Sequence, residues 1–487
     1  MKKLRNNQKT DNSRRNFIKT TALASAGFMI VPRHVLGGKG FVAPSDKLNI
    51  GAIGAGGKGG DDLRHFSKSP YVNIVALCDV DDRRSAQSRA TYTKAKHYKD
   101  FRKMLEAEGK NIDACNISTP DNVHAVATMA AMQLGKHVYT QKPLAHDIYE
   151  CRALAAGAKR YKVVTQMGNQ GGSGDGVRQG QEICNAGIIG DVHTVHAWTN
   201  RPVWPQGLPT PAGNFPVPDG VDWDLWLGPS NHDVAYNPAY MPFSWRGWNA
   251  FGTGALGDMA CHMMDPAFRI LPIDFPTEIE CSVPASWTLD GNRAQYLDGY
   301  PAASIIHLKY PRKDGKGDID LSWHDGGLLP PIPDELLPGE PFGNSDGGIL
   351  FIGTKGKLLF DCYGANPRLL PTKLMGEITM PKSTIPRVPG GEEGHYLQWV
   401  NACIAGYGNA TTSSNFDYAG PFAESVLIGN LAIRSWNLEQ PSVNGKRATY
   451  PGRKKLMWDA KTMKITNFDE ANQFVKREYR QGWGLGT

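Results

Sequence analysis

The chain has eight cysteines among its 487 residues, yet no C-x-x-C pair and no other spacing that suits a metal ion. Cys78 and Cys115 fall inside apolar stretches and read as small core residues, and no metal site is expected. The histidines do not change this: His193 and His196 sit in a strand pattern, and His324-Asp325 opens a glycine loop, where each reads as structural or substrate-contacting. Charged residues are 21% of the chain and hydrophobic ones 40%, an ordinary balance for a globular protein, so disorder is not the expectation. After residue 45 no window is apolar enough to cross a membrane. The body also lacks a basic excess. The first 45 residues hold nine cations and one anion, and removing that +8 from the chain total of +7 leaves −1, so nucleic acid finds no electrostatic footing.

Within that leader, Ser13-Arg14-Arg15-Asn16-Phe17-Ile18-Lys19 resembles the twin-arginine export signal S-R-R-x-F-L-K. The apolar run that follows, Thr20 to Val31, is too short and too rich in alanine to span a bilayer. No cysteine follows it to take a lipid. Residues 1–45 are therefore read as a leader, with the mature chain beginning between Gly37 and Ser45, and the resemblance implies a periplasmic protein exported already folded.

From Lys47 the pattern is that of a nucleotide domain, assigned to residues 46–168. A buried strand runs into Gly54-Ala55-Gly56-Gly57-Lys58-Gly59, a complete G-x-G-x-x-G, and a helix follows. In a dinucleotide site the first glycine allows the turn, the second admits the pyrophosphate, and the third lets helix lie on strand. Gly54, Gly56, Gly57 and Gly59 are the candidate phosphate cradle. A second strand ends at Asp79, twenty residues past Gly59, where a carboxylate can hold the adenosine ribose. That acid favours NAD over NADP, because it repels a 2′-phosphate, although Arg83 and Arg84 lie just beyond. Strands at Ile112–Ile117 and His137–Thr140 then alternate with a helix opened by Thr119-Pro120-Asp121, which predicts a doubly wound parallel α/β sheet. Lys142 follows the last of these strands, at the end of the sheet where ligands bind.

After residue 168 the strands Val192–Thr199, Ala303–Tyr310, Asp318–Trp323 and Ile349–Ile352 recur without alternating helices. Residues 169–487 therefore read as an α+β domain with a large, mainly antiparallel open sheet, one face of which can form a substrate wall. Loops carry Trp198, Trp204, Trp223, Trp226, Trp245 and Trp248; aromatic faces suit sugars but also fill cores. Trp245 and Arg246 are placed toward substrate. In Gly254 to His262 a helix would set Asp258 and His262 one turn apart on one face, an arrangement suited to acid-base work. The segment Phe474 to Trp483 carries no chemical signature and is expected to pack back on the body.

The succession of G-x-G-x-x-G, Thr119-Pro120-x-x-x-His124, a Lys142-Pro143 pair and G-x-x-x-Asp258-x-x-x-His262 resembles the Gfo/Idh/MocA oxidoreductases, relatives of glucose-fructose oxidoreductase and inositol dehydrogenase. The resemblance runs from Lys47 almost to the end, and takes in helices around Gly394–Trp399 and Tyr418–Ile433. It implies a Rossmann domain with NAD, contacts to it from Thr119, Pro120, His124 and Lys142, and the catalytic set Lys142, Asp258 and His262. In that set His262 takes a hydroxyl proton, Asp258 orients it or grips a neighbouring hydroxyl, and Lys142 steadies the alkoxide. The chain departs at Gln141, where the family usually has glutamate; the amide keeps an acceptor and loses the charge. The expected activity is hydride transfer between bound NAD and a secondary hydroxyl of a small carbohydrate, by a homo-oligomer that retains its cofactor. A redox-neutral NAD-dependent glycosidase is the alternative within the family, and a catalytically silent sugar- or nucleotide-binding protein the alternative from another class.

Overall fold

In the computed structural model, residues 47–287, 289–291, 293–294, 297–440 and 449–486 are described. The twin-arginine stretch and the rest of the leader lie outside them. Six short strands form one parallel sheet: β1 (Leu48–Ile53), β2 (Val72–Cys78), β3 (Lys96–Tyr98), β4 (Ala114–Ile117), β5 (His137–Thr140) and β6 (Thr165–Met167), in the order β3-β2-β1-β4-β5-β6. Helices α1 (Lys58–Phe66), α2 (Asp82–Thr91), α3 (Phe101–Glu108), α4 (Asp121–Gln133) and α5 (Ile148–Tyr161) connect them. Covering both faces of a parallel sheet buries its strands on both sides, which is why β1 and β4 read as continuous apolar runs. Side-chain caps set several helix starts: Asp81, Asp100 and Asp147 each accept a main-chain N–H in the first turn of α2, α3 and α5. The strand order reverses between β1 and β4, so the ligand crevice opens at their carboxyl ends.

Two strands of this sheet, β3 and β6, each three residues long, have no counterpart in the sequence reading. The edge strand β3 is only three residues long and polar (Lys96-His97-Tyr98), so it carries no hydrophobic period; it is held by pairing to β2.

The second sheet has nine strands: β7 (Val192–Thr199), β8 (Glu278–Ser282), β11 (Ile305–Pro311), β12 (Asp318–His324), β13 (Gly347–Gly353), β14 (Lys357–Asp361), β15 (Arg368–Leu370), β16 (Leu456–Asp459) and β17 (Lys464–Ile465). A separate ribbon pairs β9 (Ser286–Trp287) with β10 (Arg293–Ala294). The large sheet runs β15-β14-β13-β7-β12-β11-β8-β16-β17 and is antiparallel throughout except where β7 pairs β12. The α+β expectation, drawn from strands that recur without alternating helices, holds, and one face is buried: Ile306, Leu308 and Tyr310 are buried while His307 and Pro311 are exposed. Against the buried face lies α12 (Phe416–Trp436), whose Ser425 hydroxyl meets the Tyr310 hydroxyl at 2.9 Å. The same helix docks on α5, where Arg152 makes two bonds of 2.7 and 2.6 Å to the buried Glu424. Remaining helices are α6 (Asp175–Asn185), α7 (Trp223–Leu227), α8 (Gly254–Met263), α9 (Asp265–Ile270), α10 (Leu374–Glu377) and α11 (Gly391–Ala405).

All eight cysteines are free, and seven are buried. Among the described residues no helix is long and apolar enough to cross a membrane, and no group of three His, Cys, Asp or Glu converges on one point. His196 and His324 share the Ser322 hydroxyl at 2.6 and 3.0 Å within the sheet, so they are structural. The tryptophans divide: Trp198 stacks on Phe342 and Trp223 on Trp226, whereas Trp226 and Trp245 also line the main cavity.

Candidate active site

A cavity of about 650 Å³ runs along the carboxyl ends of the parallel strands. At one end is the glycine turn. Gly54 has φ +82°, and a side chain there would meet the Ser118 carbonyl at 2.4 Å; at Gly59 a Cβ would lie 1.8 Å from the Gly54 carbonyl. Only glycine permits this crossing of turn and helix. Gly56 differs from its expected use, because its missing Cβ makes room for the Arg84 main chain, 2.7 Å away. The N–H groups of Gly57 and Lys58, at the start of α1, have no main-chain acceptor. A bare, positively polarised helix end in a glycine cradle fits the pyrophosphate of a dinucleotide.

Asp79 stands beside this turn. Its Oδ2 accepts from Ala55 N and Gly56 N at 3.0 and 2.9 Å, and its Oδ1 from Asp81 N at 2.9 Å. Burial raises its pKa above the ordinary carboxyl value, and these N–H groups oppose the rise. The carboxylate therefore shapes the loop as well as offering its free lone pairs to a ribose. Arg83 is bound by both oxygens of Asp81, at 2.9 and 2.7 Å, and so is not free for a 2′-phosphate.

Thr119 and Pro120 line the cavity between the turn and Lys142. His124 lines the cavity too, and its ring nitrogens face the carbonyls of Pro143 and Thr119 at 2.7 and 3.0 Å. Burial lowers its pKa to about 4. The neutral ring carries one N–H and donates to one of these carbonyls, sitting between the turn after β4 and the Lys142-Pro143 turn.

At the other end of the cavity Lys142, Asp258 and His262 come together, brought from the end of β5 and from one face of α8. Lys142 Nζ donates to the Asp258 carbonyl at 2.7 Å and to Asp258 Oδ1 at 2.8 Å, and Arg246 Nε reaches the same Oδ1 at 2.9 Å. Burial would raise the Asp258 pKa, but these two cations hold it well below the ordinary range. Asp258 Oδ1 is taken by Lys142 and Arg246, and of the two roles expected for the carboxylate, orienting His262 or gripping a neighbouring hydroxyl, no hydrogen bond to His262 is made. Arg246 lies over the rings of Trp245 and Phe243, with its guanidinium carbon 4.2 and 4.4 Å from their centroids. His262 packs edge-on to Tyr363 at 4.4 Å between ring centroids. Its Nδ1 is enclosed without a hydrogen-bond partner, which leaves Nε2 to face the cavity. Burial first, then the Lys142 charge, push its pKa well below 6.5, so the ring is neutral and able to take a proton.

Gln141 does not hold Lys142. Its amide nitrogen donates to both oxygens of Asp62, at 3.0 and 2.8 Å, on a carboxylate that is 0% exposed. Ser118 Oγ adds a bond of 2.8 Å and Lys58 Nζ an ion pair of 2.8 Å. Lys58 also reaches the Tyr396 hydroxyl of α11 at 2.7 Å. The sequence reading missed Lys58, Asp62, Tyr363 and Tyr396. Lys58 and Asp62 lie one turn apart immediately at the fingerprint, a signal that was present; Tyr363 has none, since only its left-handed φ of 67° and its place against His262 mark it.

The fold thus joins a doubly wound parallel sheet of the nucleotide-binding kind to a second, mainly antiparallel sheet. Residues 48–169 match the model of the oxidoreductase family with an NAD-binding Rossmann fold, and residues 191–295 match the C-terminal alpha/beta domain of the same family. Two successive stretches of the chain thus match the two domains of the Gfo/Idh/MocA oxidoreductases. Among curated relatives, a glycosyl hydrolase family 109 protein of Shewanella pealeana is 32% identical over 174 residues, covering 30% of this chain and 37% of its own. Inositol 2-dehydrogenase of Salmonella typhimurium is 30% identical over 152 residues, covering 31% and 45%. The matched region is thus less than half the length of either relative. Among solved structures, a levoglucosan dehydrogenase in complex with NADH and L-sorbose superposes over 80% of this chain and 97% of its own, with a TM-score of 0.52 at 16% identity. The WlbA dehydrogenase of Bordetella pertussis, in complex with NADH and UDP-GlcNAcA, gives 0.51 at 17% identity, over 79% and 94%. At these identities the likeness is one of fold.

Proposed function

We propose that the chain moves a hydride between bound NAD and a secondary hydroxyl or ketone of a sugar, polyol or glycoside, and keeps the cofactor bound between turnovers. What carries the reading is that one cavity holds the glycine turn and Asp79 at one end and Lys142, Asp258 and His262 at the other. Bound NAD would supply the hydride acceptor. His262 Nε2 takes the hydroxyl proton as the C–H bond breaks, and Lys142 Nζ, anchored by Asp258, directs its remaining donor capacity at the alkoxide. Asp258 acts as the anchor for Lys142 and Arg246, and Arg246 closes the substrate end with Trp245 and Phe243. In the reverse direction bound NADH would supply the hydride to the carbonyl carbon, and His262 returns the proton to the oxygen.

Retention follows from two premises. Ser13 to Lys19 marks a folded protein for export, and the periplasm supplies no free dinucleotide; an enzyme that released NADH there would stop after one cycle. Protein purified without added cofactor, then denatured, should release close to one dinucleotide per chain. Empty protein that turns over only with excess NAD, accumulating NADH in solution, would overturn retention. The glycosidase reading is favoured by the relative from Shewanella pealeana. In that cycle a sugar carbon is oxidised, the aglycone is eliminated, water adds and the ketone is reduced. Release of an aglycone without net keto-sugar would select it. No turnover on any polyol or glycoside would leave a binding protein.

NAD is the expected cofactor because Asp79 would repel a 2′-phosphate and Arg83 is already paired. Asp79→Ala should weaken NAD roughly 10- to 100-fold, the range for losing a hydrogen bond to a charged group of about 1.5–3 kcal/mol, and should narrow the gap to NADP. Unchanged affinities in a calorimetric titration would remove the ribose assignment.

A further inference from the structure

Beyond α12 and the last strand of the sheet, the chain crosses back to the nucleotide domain and is fastened there. Arg477 is buried against Glu150 of α5, with bonds from Nε and Nη2 of 2.9 and 2.6 Å, and its own N–H donates to Asp147 at 3.0 Å. Tyr479 adds its hydroxyl to Glu150 at 2.9 Å. Next, Arg480 bonds the Asp224 carboxylate at 2.6 Å and the Asp224 carbonyl at 2.9 Å. At the far end Gln133 of α4 donates to the carbonyls of Leu485 and Gly486, both at 3.0 Å.

Between these ties Trp483 is set down beside the cofactor cavity. It is only 6% exposed, yet it lines the same cavity as Gly54 and Asp79. Arg102 covers its ring at 4.1 Å and Phe101 tilts against it at 6.1 Å. Asp79 fixes which end this is. A carboxylate at the end of β2 holds the adenosine ribose, and the base lies beyond that ribose, away from the pyrophosphate at Gly57. The strand next to β2 on that side is β3, and Phe101 begins the helix that follows it. Leu225 and Trp226 line the cavity as well, so the surfaces offered to a base are apolar and aromatic.

We propose that residues 477–486 are part of the cofactor site: the segment closes the adenosine end of the cavity, Trp483 is a wall for the adenine, and the dinucleotide leaves only when this segment lifts. The proposal rests on the reading of the cavity as an NAD site. It supplies a physical basis for slow release.

The test uses the full chain, with co-purified nucleotide exchanged out, titrated with NAD, ADP-ribose and nicotinamide mononucleotide. Trp483→Ala should weaken NAD and ADP-ribose about tenfold, the loss of one aromatic–base contact, and leave the mononucleotide unchanged. Wild-type affinity for ADP-ribose in this variant, alongside the loss in Asp79→Ala, would overturn the wall while leaving the NAD site standing. A wild-type chain that binds none of the three would overturn both. Hydrogen exchange on the unaltered protein decides the matter without a variant. ADP-ribose should slow exchange of the amides in 480–486, and no change there would overturn the proposal even if Trp483→Ala fails to fold.

Discussion

Replacing His262 by alanine should lower the chemical step by about 10²- to 10⁴-fold, the usual worth of a positioned acid-base group, with NAD affinity unchanged. The reason is geometric as much as chemical. Of Asp258 and His262, which face one cavity with Lys142, His262 is the group left to accept a proton, because Asp258 is engaged by two cations that hold it ionised. The neutral imidazole is the active form. Since burial and the Lys142 charge depress its pKa below 6.5, the base stays unprotonated as pH falls through the ordinary histidine range. The acid limb of the rate profile should therefore lie below pH 6.5, and it should vanish from whatever residual rate His262→Ala retains. Wild-type turnover in the variant, or an acid limb at or above pH 6.5, would take the role of base away from His262.

How far the sequence already contained this site depends on the range of the interactions involved. The glycine turn, Asp79 and the α8 pair were legible because each is a local pattern: a fixed spacing that the backbone turns into a fixed geometry. The two sheets were legible from the order of elements, since strands that alternate with helices make a parallel sheet and strands that recur without them a mainly antiparallel one. The partners of each group were not. Asp258 and His262 are one turn apart and look like a pair, yet a lysine 116 residues away and an arginine from the preceding loop claim the carboxylate. His124 falls within the Thr-Pro motif, but the carbonyls that its ring faces, those of Pro143 and Thr119, are set by the fold. Trp483 carries no motif at all. Its position beside α3 is set by four separate anchors on α3, α4, α5 and α7, none of which could be paired with it from a single sequence.

Gln141→Glu, which restores the residue the family usually carries, should destabilise this protein at neutral pH by about 3 kcal/mol or more. The amide nitrogen of Gln141 donates to both oxygens of Asp62, a carboxylate with no solvent exposure. A glutamate in its place would set a second carboxylate about 3 Å from the first and remove a donor. Lys58 can neutralise one of the two charges, and its pKa is held above the ordinary lysine value by Asp62 despite the opposing effect of burial. It cannot neutralise both. One carboxyl must then take up a proton on folding, so its folded pKa rises above the unfolded value of about 4.3. A raised carboxyl pKa means that the folded state binds the extra proton, so the penalty is small near pH 4, grows as pH rises, and is complete once pH passes the folded value. Denaturant unfolding at pH 5 and pH 8 should show this slope in the variant beyond that of the wild type. Asp62→Asn in the same chain should restore stability at pH 8, because an asparagine amide can donate to the new carboxylate. In this chain the buried negative charge beside Ser118 comes from α1 rather than from the residue before Lys142, so residues 62 and 141 form one unit and should show a strong coupling in a double-mutant cycle. Additive effects of the two substitutions, or a Gln141→Glu protein as stable at pH 8 as the wild type, would show that Asp62 does not occupy that place.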